Sequence, residues 1–118
     1  MNVHALQEAV TAFAREREWE QFHDVKNLSM ALASEVGELN AVLRWVRSEH
    51  VDAALAEQPT RDALRTEIGD VGILLLLLCA RAGIRLDEAV LEKLESNALK
   101  YPARESRGRS EPPRTVLE

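Results

Sequence analysis

Residues 61–82 read RDALRTEIGDVGILLLLLCARA. The first ten mix charged and apolar residues at helical spacing, and the run from Val71 to Ala80 then carries no charge at all. Spanning a bilayer as a helix takes roughly 20 such residues. The run is therefore expected to be the inner half of one long helix, Arg61 to Ala82, with no face suited to water. Gly83 supplies its stop, since glycine adopts the left-handed backbone that closes a helix without a steric penalty. A helix that is apolar all round must be covered on every side, and a chain of this length offers few helices for that. Part of the cover is expected from another subunit.

The segments on either side have the same period. Val3, Leu6, Val10, Phe13 and Ala14 predict a first helix over 3–17, with Gln7, Glu8, Arg15 and Glu16 elsewhere around the wheel. Residues 18–24 break that period. A second helix is expected from Asn27 to Arg47, its core stripe formed by Leu28, Leu32, Val36, Leu39, Leu43 and Val46. Residues 48–60 form a polar connection with one helical turn at Val51 to Ala56, and Thr60 is the expected N-cap of the long helix. Asp87 is the expected N-cap of a fourth helix, Glu88 to Tyr101, with Leu91, Leu94 and Ala98 as its core stripe. The reading is an all-α, four-helix domain over residues 1–102, followed by a flexible tail, 103–118, rich in Arg, Ser, Glu, Pro and Gly.

Composition narrows the function. Of 118 residues, 46% are hydrophobic but only 4% aromatic, a Leu- and Ala-rich balance that favours helices. The net charge of −5, with Lys and Arg scattered, argues against nucleic acid as a partner. The N-terminal MNVHALQEAVTAF lacks the pattern of a secretory signal, so a cytoplasmic location is expected and no membrane partner. The lone cysteine, Cys79, lies in the apolar run and reads as a buried thiol.

The chemistry lies in four carboxylates. Glu35 and Glu38 stand about one turn apart in the second helix, and Glu67 and Asp70 repeat that spacing in the long one. One such pair usually decorates a solvated surface. Two pairs, on helices that can pack antiparallel across the 48–60 connection, can meet face to face, and their mutual repulsion then calls for a cation. Carboxylate oxygens without His or Cys nearby suit Mg²⁺, with Mn²⁺ as a substitute, and disfavour Zn²⁺. Because Mg²⁺ keeps open positions for phosphate oxygens, phosphoryl or nucleotidyl chemistry is expected.

Other residues have an ordinary reading and a functional one. Trp19 and Trp45 are first of all core candidates. Trp45, however, falls near the acidic stripe of Asn27, Ala31, Glu35 and Glu38, and Trp19 shares a loop with His23, so together they can stack on and hydrogen-bond a base. Lys93 and Lys100 would ordinarily be solvated; with Asn97 on the same face and Tyr101 next in sequence, they can meet phosphates and sugar.

The stretch WEQFHDVKNLSMALASEVGELNAVLRW (19–45), followed by EIGDV (67–71) and AVLEKLESNALKYP (89–102), resembles the MazG-like all-α nucleoside triphosphate pyrophosphohydrolases, particularly their dCTP pyrophosphatase branch. The resemblance implies an intertwined helical dimer or dimer of dimers, with Mg²⁺ on Glu35, Glu38, Glu67 and Asp70. It implies cleavage of dCTP or a modified pyrimidine nucleotide to monophosphate and pyrophosphate, as house-cleaning of the nucleotide pool. Trp19, His23 and Trp45 would line the nucleoside pocket, and Lys93, Asn97 and Tyr101 the phosphate and sugar end. Val10 and Leu74 depart from the histidine and tyrosine of some members of that branch, and Thr66 from a common glutamate. Two other readings stay open: a related pyrophosphohydrolase acting on dUTP or other noncanonical triphosphates, and a non-catalytic helical module that binds a nucleotide or a protein.

Overall fold

The computed structural model describes residues 1–111, and among them there is no strand. Helix α1 (Val3–Glu16) opens the chain, capped by Asn2, whose side-chain oxygen accepts from the Ala5 N–H at 2.8 Å. A 3₁₀ turn (Trp19–Phe22) leads to α2 (Val25–Leu43), which Asp24 caps by accepting from the Asn27 N–H at 2.7 Å. Then come a 3₁₀ turn (Ser48–His50), the short α3 (Val51–Ala56), the long α4 (Gln58–Ala82), α5 (Leu86–Lys100) and a single turn, α6 (Ala103–Ser106).

Three predicted boundaries are corrected. Helix α2 stops at Leu43 rather than Arg47, because the Val46 N–H bonds to the Leu43 carbonyl at 3.0 Å in a tightened turn, and Trp45 lies just past the helix. Helix α4 starts at Gln58 with Pro59 inside its first turn, where a missing N–H costs nothing, so Thr60 is helical and not the cap. Helix α5 starts at Leu86, so Asp87 is not its cap either. The Asp87 carboxylate instead accepts from the Arg85 guanidinium at 2.8 and 3.2 Å and from the Glu88 N–H at 2.8 Å. At the far end of α4, Gly83 takes φ +72°, and the Ile84 N–H reaches back to the Cys79 carbonyl at 2.8 Å, closing the helix as predicted. The predicted tail is partly helical at Ala103–Ser106, and its residues 112–118 lie outside those described.

The main packing is α2 against α4, with α1 laid on α4 and α5 packed chiefly on α1. The connection through α3 makes α2 and α4 antiparallel. Among the described residues the buried apolar side chains are few: Ala14 on α1, Leu28 on α2, and Leu76 and Cys79 on α4. Much of the predicted core is open to solvent within this chain. Leu91 and Leu94 of the expected α5 stripe are 57% and 60% exposed, and Phe13, Ile68 and Ile73 are also exposed. The buried line of α1 runs through Gln7 and Ala14, which corrects the expectation that Gln7 sits on the polar side of the wheel. The radius of gyration, 17.9 Å, exceeds the roughly 13.5 Å of a compact domain of this length. No helix among the described residues is long and apolar enough to cross a membrane.

Candidate metal centre

Antiparallel packing of α2 on α4 joins one acidic turn to the other. Ligand oxygens of Glu35, Glu67 and Asp70 all lie within 4.8 Å of one another, and the three residues are half-buried. Glu38 is exposed and falls outside this group, although its charge still acts on Glu67. The fourfold cluster expected from the sequence is thus a trio with an outlying carboxylate.

Glu67 is its centre. Removal from water pushes its carboxyl above the ordinary 4.5, and the adjacent Glu35, then the charges of Asp70 and Glu38, push the same way. Its Oε2 is buried without a hydrogen-bond partner. A carboxylate oxygen in that position lacks a proton donor or a cation, and with two further carboxylates beside it the donor set fits a hard divalent ion.

Protons and cations therefore compete for Glu67. As pH falls through the raised value the carboxyl takes up a proton, so divalent affinity should drop earlier than it would for a carboxylate at 4.5. For the metal-free chain the sign is opposite. A raised acid favours the protonated fold, so its contribution to stability is full below about 4.5 and is lost as pH rises through the raised value. Calorimetric titration with Mn²⁺ should give tighter binding at about pH 7.5 than at about pH 5. Equal affinity at both would contradict the assignment.

The other predicted site residues are dispersed. His23 is half-buried and lines a cavity of about 490 Å³ between α1, the 3₁₀ turn and α4, with Arg15, Glu20, Gln21, Leu77 and Arg81 among its walls. Leu77 is seven residues beyond Asp70, so the cavity opens on the acidic face of α4 about two turns further along. Trp19 is 43% exposed and packs edge-on against Phe13, centroids 5.8 Å apart. Trp45 is 86% exposed, with the Arg44 guanidinium 5.4 Å from its ring centroid. His23 and Trp45 flank opposite ends of α2, whose 19 residues span about 28 Å, so one chain does not join them in a single pocket. On α5, Asn97 and Tyr101 are half-buried, Lys93 and Lys100 exposed, and the Lys100 ammonium sits 5.4 Å over the Tyr101 ring. These α5 groups are not packed onto the trio, because α5 leans chiefly on α1.

Sequence reasoning passed over Arg15 and Arg81 of the cavity. Arg15 pairs with Glu20 at 3.2 Å, whereas Arg81 makes no ion pair among the described residues. The available signal was the heptad step from Glu67 through Leu74 to Arg81, which places all three on one side of α4.

The family model described as MazG-like matches residues 18–112. Curated relatives include dCTP pyrophosphatase 1 of Rattus norvegicus, 45% identical over 97 residues, which cover 81% of this chain and 56% of that protein. The Homo sapiens dCTP pyrophosphatase 1 is 42% identical over 98 residues, covering 83% and 58% respectively. The chain thus spans somewhat more than half the length of the curated relatives it matches. Among solved structures, a pyrophosphatase from Archaeoglobus fulgidus superposes with a TM-score of 0.76 at 36% identity, covering 83% of this chain and 90% of that one.

Proposed function

The chain belongs to the MazG-like family, and from that premise we propose that it is a Mg²⁺-dependent nucleoside triphosphate pyrophosphohydrolase acting on dCTP or a modified pyrimidine nucleotide. Water adds across the α–β phosphoanhydride, giving the nucleoside monophosphate and pyrophosphate. The carrying observation is the partnerless Glu67 oxygen held between Glu35 and Asp70. Glu35, Glu67 and Asp70 would hold the ion, with Glu38 joining from the rim. When bound, the metal supplies charge neutralisation at the phosphate oxygens and a more acidic water. The carboxylate least committed to the ion orients that water and accepts its proton.

The cavity at His23 receives the nucleoside. It lies along the acidic face of α4, so a nucleotide whose phosphates meet the trio has its base directed toward Gln21 and His23. The stacking partner on the other side is Trp45 of a second copy. Its 86% exposure, its separation from His23 in one chain, and the open apolar surfaces of α4 and α5 all support a dimer or dimer of dimers. Lys93, Asn97 and Tyr101, which one chain does not pack onto the trio, serve the phosphate and sugar end of the site that a second copy completes. The catalytic unit is residues 1–102, with 103–118 appended, and the enzyme works in the cytoplasm, removing unwanted nucleotides.

A panel of deoxy- and ribonucleoside triphosphates, incubated with Mg²⁺ and separated by chromatography, tests this reading. Preferred turnover of dCTP or its 5-substituted analogues is expected. Preference for dUTP would move the chain to the related activity, and nucleotide binding without any product would leave a binding module.

A further inference from the structure

Gln7 is the one polar side chain among the described residues that is buried, at 6% exposure. It occupies a position on the inward face of α1, two turns before Ala14, where an apolar residue would fill space equally well. Both ends of its amide are engaged by backbone far away in sequence. Nε2 donates to the Ile84 carbonyl at 2.9 Å, and Oε1 accepts from the Leu86 N–H at 3.0 Å. Leu86 is the first residue of α5, which has no side-chain cap of its own. The α1 glutamine therefore supplies the cap that Asp87 does not, and it grips the α4–α5 turn on both sides of Arg85. Because α5 packs chiefly on α1, this grip sets the angle at which α5 leaves α4.

We propose that Gln7 is a positioning residue for the triphosphate: by fixing the start of α5 it sets the placement of Lys93, Asn97 and Tyr101. This rests on the pyrophosphohydrolase reading and adds to it a residue that touches no substrate. Losing the amide leaves a part-buried N–H and C=O without partners, and α5 can then swing about Gly83. The metal trio on α2 and α4 is unaffected.

The test uses the full chain. Gln7→Leu removes both hydrogen bonds at similar volume, while Gln7→Glu keeps only the acceptor and serves if the first variant folds poorly. Expected are a KM for the preferred triphosphate raised about tenfold with kcat changed less than about twofold, unchanged Mn²⁺ affinity, and faster hydrogen exchange along residues 86–100. Adding Lys93→Ala to Gln7→Leu should raise KM little further, since its group is already misplaced. A KM equal to that of the native chain in either folded variant, or Lys93→Ala effects that multiply in full, would overturn the proposal. A native chain that releases no pyrophosphate would instead overturn the underlying reading, and the exchange result would still show whether the grip exists.

Discussion

Replacing Glu67 with Gln should cut Mg²⁺-dependent pyrophosphate release by at least about a hundredfold and at the same time raise the melting temperature of the metal-free chain. The two effects have one cause. In the folded chain the Glu67 carboxyl is withdrawn from water and faces Glu35 and Asp70, so its charge opposes folding at neutral pH unless an ion is present. The amide has the same shape without the charge. It relieves the repulsion but offers the metal only a neutral oxygen. Asp70→Asn should lose activity in the same way, whereas Glu38→Gln, at an exposed carboxylate outside the trio, should lose less. Thermal melts with and without MgCl₂ check the stability half. If Glu67→Gln melts lower without metal, or keeps a Mg²⁺-induced rise equal to that of the native chain, the trio is not a cation site.

Leu28→Ala should destabilise the chain by about 3 kcal/mol and lower its melting temperature by roughly 10 °C. Leu28 is 2% exposed, the largest fully buried side chain among the described residues, whose buried apolar set is otherwise Ala14, Leu76 and Cys79. A cavity there loosens α2, the helix that carries Glu35 to Glu67. Divalent affinity should consequently fall along with stability, although residue 28 lies about 10 Å along the helix from Glu35. Chemical denaturation followed by circular dichroism measures the first effect and Mn²⁺ titration the second. A loss below about 1 kcal/mol would mean that the α2–α4 contact does not organise the fold.

What could be read in the sequence was what depends on neighbours within a turn or two. The helices, the turn at Val51–Ala56, the stop at Gly83 and the acidic spacing on α2 and α4 are all local patterns, and the helices formed where those patterns lie. Apart from the helix ends set locally at Leu43 and Pro59, the misreadings come from partners far away along the chain. Nothing within ten residues of Gln7 signals that its amide meets residues 84 and 86, and the same contact makes Asp87 unnecessary as a cap. Apolar stripes such as Leu91 and Leu94 mark a face that needs cover without saying whether this chain provides it. The acidic motif names four carboxylates without ranking them. Only side-chain placement separates the exposed Glu38 from the three that converge. The cavity at His23 combines walls from α1, the 3₁₀ turn and α4, a juxtaposition that no single stretch encodes.

The most direct measurement quantifies pyrophosphate and orthophosphate separately during dCTP turnover by the full chain, with Mg²⁺ and then with excess chelator. Equimolar monophosphate and pyrophosphate with Mg²⁺, and no product with chelator, is the predicted result. Release of orthophosphate, or turnover that persists without a divalent ion, would contradict it.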